Sequence, residues 1–318
     1  MLVYRSLLIL ATLSAATCVN AQAPKPKWAR YSLKAEQHWP LNLPQGRRFD
    51  ASGLLLTPDG HLLTVNDRGA SLYRIVFRDG ERSADLLMLT NVFTTGQLAP
   101  FAAGKTGRYD SEGIARDEQG RLHLCEEANR WVLRHDPKTR RVERLNIDWT
   151  PVQEYFSGFD RNASFEGIAI GGSRLYVANE RMFARIIVVD LGSLKVIDHF
   201  KVSPRGHAAW DLNYSDLSWF DGALFVLLRE SYVVLQIDPV SHEVLTEYDF
   251  GAVENEPSVA YHRKYPTGTM EGLAVDRDHI WLVTDNNGEG RLKDPTDTRP
   301  TLFKCPRPDR TGPPVAGP

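Results

Sequence analysis

The chain has 318 residues, 42% hydrophobic and 25% charged, with a formal net charge of −2. That length fits one large β domain or two ordinary domains and can bury a sizeable core. The near balance of charge, with no block of like charges, argues against nucleic acid or an anionic membrane surface as the main partner.

Residues 1–5 form a short basic start, and 7–17 are apolar but too short to anchor across a bilayer. Val19-Asn20-Ala21 then supplies small residues for cleavage, so residues 1–21 read as a signal peptide and the mature chain as periplasmic or secreted. The alternatives are a membrane anchor or a lipoprotein, since Cys18 follows Ala16-Thr17. No later stretch is apolar enough to span. Cys125 and Cys305 remain and could pair in an oxidising compartment, but two cysteines do not build a disulfide framework. With no C-x-x-C, zinc is not expected.

Next come five segments of one plan: 52–67, 112–127, 166–180, 215–230 and 271–285. Each opens on a polar residue, usually followed by Gly: Ser52-Gly53, Glu112-Gly113, Glu166-Gly167, Ser215-Asp216 and Glu271-Gly272. A short apolar run, a turn such as Pro58-Asp59-Gly60, and a second apolar run follow. The second run ends in an acid 14 or 15 residues after the opening. Further β-branched or aromatic runs at 73–77, 131–134, 186–189 and 233–237 give third strands, and 86–89, 142–145, 195–200 and 244–250 give fourth strands. Four antiparallel strands at a period of 49 to 60 residues predict an all-β chain, a five-bladed β-propeller with six blades as the alternative. A solenoid or sandwich competes with that reading. The fifth repeat lacks a fourth strand, so 31–36 is expected to supply it and close the ring. This makes 28–306 one propeller domain and 307–318 a disordered Pro-rich tail.

In a blade the first two strands form a hairpin, so two polar columns fall at the same end. The inner column is Ser52, Glu112, Glu166, Ser215 and Glu271. Three carboxylates crowded on one axis repel and are costly to bury. Carboxylate and hydroxyl oxygens without His or Cys suit a hard ion, so calcium is the expected cofactor at these five residues. A water-filled channel with protonated or Arg-paired glutamates is the competing arrangement. The second column is Asp67, Glu127, Glu180, Glu230 and Asp285, with Arg68, Arg181 and Arg229 beside it. Entry loops bring Lys105, Arg108, Arg161, Arg205, His207 and Lys264 to the same face. Converging cations suit a phosphate or carboxylate, although solvated charges paired with the acids would look the same.

There is no G-x-S-x-G, H-E-x-x-H or P-loop, and repeat position explains Arg134-His135 better than an acid-phosphatase motif does. The ordered series Ser52-Gly53-Leu54, Asn66-Asp67-Arg68-Gly69, Asp110-Ser111-Glu112-Gly113-Ile114, Phe165-Glu166-Gly167-Ile168, Ala178-Asn179-Glu180-Arg181 and Met270-Glu271-Gly272-Leu273 resembles the esterase-like phytase domain family over about residues 48 to 290. It is also similar to the SdiA-regulated propellers. The inner column resembles that of the calcium-activated nucleotidases (apyrases), which implies an axial calcium at Ser52, Glu112, Glu166, Ser215 and Glu271. Ala163-Ser164 stands where the phytase-like family often has Arg-Gly, so Arg161 is not carried over as a ligand.

The expected function is calcium-dependent phosphoester hydrolysis of an anionic small molecule, by a monomer. Arg68, Arg181 and Arg229 would neutralise the anion, and Glu127 or Glu180 would orient water. A non-catalytic envelope propeller binding a ligand or protein, and a lactonase-type hydrolase, are the alternatives.

Overall fold

The computed structural model describes residues 28–43, 46–101, 109–160, 163–206, 212–264 and 267–310. The expected signal peptide, residues 311–318 of the expected tail, and Lys105, Arg108, Arg161 and His207 lie outside these segments. Two strands come first, β1 (Ala29–Ser32) and β2 (Gln37–Asn42). The repeats follow as antiparallel quartets. The first is β3 (Ala51–Leu56), β4 (Leu62–Asn66), β5 (Leu72–Phe77) and β6 (Ala84–Met88). The second is β7 (Ser111–Arg116), β8 (Leu122–Glu126), β9 (Trp131–Asp136) and β10 (Arg141–Arg144). The third is β11 (Phe165–Gly171), β12 (Arg174–Asn179), β13 (Arg185–Asp190) and β14 (Lys195–Phe200). The fourth is β15 (Asp216–Phe220), β16 (Ala223–Leu228), β17 (Val233–Ile237) and β18 (Val244–Asp249). The last is β19 (Met270–Val275), β20 (His279–Thr284), β21 (Thr301–Pro306) and, returning from the N-terminus, β2. The leading strands β3, β7, β11, β15 and β19 pack against one another in cyclic order. Among the described residues no helix is long and apolar enough to cross a membrane.

Second strands read as unbroken apolar runs because both of their faces are covered. On β16, Leu224, Val226 and Leu228 join a layer with Tyr176 and Ile186 of the preceding quartet. The alternate residues Phe225 and Leu227 join Leu273, Ile280 and Phe303 of the following one. On β12, Leu175 and Val177 face Cys125 and Val132, while Tyr176 and Ala178 face the other way. The two-residue period of a strand thus fills two inter-sheet layers at once.

Ring closure departs from expectation in its residues. The strand that completes the last quartet is β2, antiparallel to β21 from Gln37↔Lys304 to Pro40↔Thr301, and not 31–36. Ala29–Ser32 instead runs parallel to β18. His38 and Pro40 make residues 37–42 look unlike a strand, and Pro is confined to sheet edges and strand ends. Packing decides the matter: Leu41 is buried, and the Trp39 ring lies 4.7 Å from Phe77 and 6.4 Å from Trp281. Leu41 and Asn42 also pair with β6, so one strand links the last quartet to the first. The ordered chain continues past 306, where an expected tail would begin: Arg307 is buried and Pro308–Arg310 form a 3-10 turn. Cys125 and Cys305 are both buried and free, on β8 and β21.

The hub is closed by backbone contact. A Cβ placed on Gly113 would fall 2.7 Å from Gly167 Cα, and one on Gly167 would fall 2.5 Å from Asp216 Cα. Gly53 is hemmed in by the backbone of Glu112 and Gly113 in the same way, and Gly272 by Val283 Cγ1 and the backbone of Gly53. The repeat's Gly is therefore required by the approach of adjacent leading strands. The fourth repeat has Asp216 in that place, and its side chain fills the centre. Oδ2 accepts from Leu273 N at 2.7 Å and Leu54 N at 3.2 Å, and Oδ1 accepts from Leu217 N at 2.8 Å. One carboxylate thus ties together three leading strands.

Gly167→Ala should destabilise the fold by about 2 kcal/mol or more, since the added methyl would crowd Asp216 Cα, the buried and hydrogen-bonded Asp216 Oδ1, and Leu217 N. Gly69→Ala, with nothing within 4 Å of its Cβ position, should change stability by less than about 0.5 kcal/mol. Urea unfolding of the two variants checks this, and equal effects would contradict the close-packed hub.

Candidate functional site

The polar columns meet above Asp216. In the second, third and fifth quartets the register slips between Ser111 and Gly113, between Phe165 and Gly167, and between Met270 and Gly272. The skipped residue in each case is the glutamate of the inner column. A bulge of this kind takes a residue out of the ladder and re-aims its side chain. The acids of the second column close the same hairpins: Glu127 N donates to Asp110 O, Glu180 N to Ser164 O, and Asp285 N to Thr269 O, each at 2.8 Å. Asp67 N donates to Asp50 O at 3.1 Å.

The structure divides the inner column. Ser52 Oγ donates to Glu112, 2.7 Å from Oε2. Glu166 stands with Glu127 and Glu180, and the oxygens of this trio lie within 4.8 Å of one another. Asp110, Glu112 and Glu127 form a second such trio, sharing Glu127. Glu271 pairs with Arg229. Ser215 is buried with its hydroxyl unpartnered. Glu127 Oε1 and Glu271 Oε2 are likewise buried without a partner among the described residues.

The guanidinium groups are largely committed to these acids. Arg229 pairs through Nη1 with Glu271, through Nη2 with Glu180 at 2.8 Å and through Nε with Glu230 at 3.4 Å. Arg181 pairs with Glu180 through Nη1 and with Asp160 through Nη2 at 2.9 Å. Arg68 reaches Asp50 at 3.4 Å and is half exposed. Of the expected entry-loop cations, Arg205 turns away and donates to Trp28 O at 2.9 Å.

Electrostatics follow from burial. Glu112 and Glu166 are pushed well above the usual carboxylate range, first by burial and then by their acidic neighbours. Glu127 is pushed up to about 9 by burial, then by Glu180 and Asp110. Glu180 is raised by burial against the pull of Arg229 and Arg181. On the other side of the mouth, Asp67 rises to about 8 through burial and the charges of Asp285 and Asp50, and Asp285 rises to about 7 through burial and Asp50. Six carboxylates (Asp110, Glu112, Glu127, Glu166, Glu180, Glu271) face two guanidinium groups (Arg181, Arg229), an excess of four negative charges if all ionise. A buried excess of that size must be met by protons or by a cation.

Three contributors escape the repeat logic. Asp110 and Asp50 lie two residues before the column positions, and Arg48 Nε binds Asp50 at 2.6 Å from an irregular segment. Asp216 had a usable signal, since it alone puts a charge where the other repeats have Gly.

A family model described as "Phytase-like: Esterase-like activity of phytase" matches residues 50–288. No curated protein matches the chain. Among solved structures it is similar to the glutaminyl cyclase of Myxococcus xanthus, at 14% identity and a TM-score of 0.58, over 88% of this chain and 97% of that one. It is also similar to the virginiamycin B lyase of Staphylococcus aureus, at 14% identity and a TM-score of 0.41, over 87% of this chain and 76% of that one. At these identities the first likeness concerns the propeller-like fold alone.

The raised pair Asp67 and Asp285 sets a sign for pH. Each holds a proton in the fold where the unfolded chain, with a pKa of about 4, has released it. Their contribution is complete below about pH 4 and is lost as pH rises through about 7 and about 8. In chelator, Asp67→Asn should melt close to the parent at pH 5 and above it at pH 9. A melting-temperature difference that does not change with pH would contradict the assignment.

Proposed function

The chain belongs to the phytase-like family described by esterase-like activity of phytase, and we propose that it is an exported, five-bladed, calcium-binding propeller that hydrolyses phosphoesters of an anionic small molecule at the acidic mouth of its hub. The observation that carries this reading is the buried acid cluster in which Glu127 Oε1 has no partner among the described residues, with Glu271 Oε2, on a residue paired with Arg229, likewise unpartnered.

The donor set fits calcium. It is all oxygen, carboxylate and hydroxyl, with no nitrogen or sulfur ligand in either acidic trio. Glu112, Glu166 and Glu271, with the hydroxyls of Ser52 and Ser215, remain the proposed ligands, and Asp110 and Glu127 extend the set. A bound calcium would polarise a phosphoryl oxygen and offset part of the negative excess. The chain's own groups then divide the work. Arg229 holds Glu180 and Glu271 in place. Arg68 and Arg181, nearer the solvent, face the anion. Glu127, with an oxygen that has no partner among the described residues, can accept a hydrogen bond from water and orient it, whereas Glu180 is committed to two guanidinium groups.

A second reading, a binding propeller without turnover, draws on the same pairing of Arg181 and Arg229 with acids, which leaves fewer donors for a transition state. Assays for phosphate release from nucleotides, phytate and a chromogenic phosphomonoester separate the two. The hydrolase predicts turnover with calcium, its loss in chelator, and a fall of about a hundredfold or more in Glu127→Gln. Ligand-induced melting shifts with no product on any ester would leave the binding reading instead.

Calcium should also stabilise the parent far more than Glu166→Gln at the same free calcium concentration, because binding to the native state alone raises stability. Thermal melts over a calcium titration measure this. Identical shifts in both proteins would remove Glu166 from the ligand set.

A further inference from the structure

Between the first and second quartets, beside the acidic mouth, lies a cavity of about 480 Å³ whose described lining includes no charged side chain. Its floor is the apolar layer shared by these two quartets. Ala70, Val92, Phe93 and Leu98 are buried members of that layer, and Leu89 and Tyr109 pack against it. Met88, at the end of β6, closes one side and is 47% exposed. The polar atoms on offer are hydroxyls, those of Ser71, Thr90 and Thr95 among them. The volume falls in the range of about 300–1,000 Å³ that holds small organic ligands.

The walls are set before any ligand arrives. At the start of the short helix Thr95–Leu98, Gln97 N donates to Thr94 Oγ1 at 3.3 Å and Thr94 N donates to Gln97 Oε1 at 2.9 Å. Gln97 Nε2 donates to Arg140 O at 2.7 Å, in the turn before β10. Tyr109 Oη donates to Leu98 O at 3.0 Å. Helix and tyrosine are thus tied to each other and to the second quartet, and a pocket held in this way loses little freedom when a ligand enters.

The chain itself joins the cavity to the hub. Tyr109 directly precedes Asp110, which stands in the trio with Glu112 and Glu127. Ala70 lies two residues after Arg68. Strong charge therefore gives way to an uncharged, largely apolar wall within one or two residues on both sides of the opening. A wholly ionic ligand at the hub would leave that wall against water, and a wholly apolar one would leave the hub charges unmet. A molecule with an anionic end and an apolar group fits both.

We propose that this cavity binds an apolar group of about the size of a naphthyl ring system, carried by the substrate. The inference rests on the hydrolase reading and deepens it: the substrate class is a phosphoester of an apolar alcohol, with its phosphoryl end at the hub and its alcohol in the cavity. Water adds to phosphorus and the bond to the alcohol oxygen breaks. The alcohol leaves with one proton of that water, and the phosphate keeps the hydroxyl.

The test has two readouts on the full mature chain. Isothermal titration in chelator uses 1-naphthol, which is uncharged and needs no metal. The parent should bind it saturably at one site. Ala99→Trp, which fills the cavity, and Met88→Asp, which puts a charge in its wall, should each weaken binding about tenfold or more. Both residues are exposed, so melting temperatures without ligand should stay near the parent's and exclude a folding defect. In calcium, kcat/KM for 1-naphthyl phosphate should fall by a similar factor in both variants while that for glycerol 2-phosphate stays unchanged. No naphthol binding in the parent, or affinity unchanged in either variant, overturns the proposal. Weakened naphthol binding with equal effects on the two esters detaches the cavity from the substrate and overturns that assignment. Weakened naphthol binding with no ester turned over keeps the cavity and sinks the hydrolase reading alone.

Discussion

The molecule depends on one buried carboxylate. Asp216 fills the point where five leading strands converge and accepts backbone N–H groups from the first, fourth and fifth quartets. Burial raises its pKa well above the ordinary aspartate range, while the three donors pull the other way. Those donors would be orphaned without it, and an unmade hydrogen bond at a buried amide costs about 1–3 kcal/mol. Around this point four repeats have Gly because adjacent backbones approach too closely for a Cβ. The hub is thus a closed floor on which side chains from the five repeats can be set.

The chemistry follows from that floor. With the axis blocked, the bulged residues Glu112 and Glu166 gather with acids of the second column at the mouth, while the third, Glu271, pairs with Arg229. Arg229 and Arg181 neutralise part of this charge and freeze the Glu180 side. Among the described residues, unpartnered oxygens of the two columns fall on Asp67, Glu127, Glu271 and Ser215 and not on every repeat, so the hub is asymmetric although the repeat is regular. Burying like charges beside free acceptors is costly for stability, a pattern typical of sites arranged for an ion or a reaction.

Much of this was legible in the sequence, because the repeat is written in two periods at once. The opening Glu-Gly and the closing acid marked each hairpin, and the apolar second strands marked layers covered on both faces. Residues 233–237 and 195–200 are strands with the expected ends. The closing strand was misplaced because strand propensity favoured 31–36 over a segment containing His38 and Pro40, whereas tertiary packing of Trp39 and Leu41 decided the outcome. That arginines could pair with the acids was legible as an alternative, but which arginine meets which acid was not. Arg229 bridging Glu180 and Glu271 is a contact between repeats, and Asp50 bridging Arg48 and Arg68 stays within the first quartet but uses Arg48 and Asp50, which stand before its opening position, so the repeat spacing encodes neither.

The account turns on whether the acidic hub is a cation site, and diffraction from crystals grown with calcium addresses that most directly. It predicts an anomalous peak among Glu112, Glu127 and Glu166, with carboxylate oxygens at about 2.3–2.6 Å. A hub without a peak, its carboxylates bonded to one another and to water with the Arg229 pairs unchanged, would contradict it.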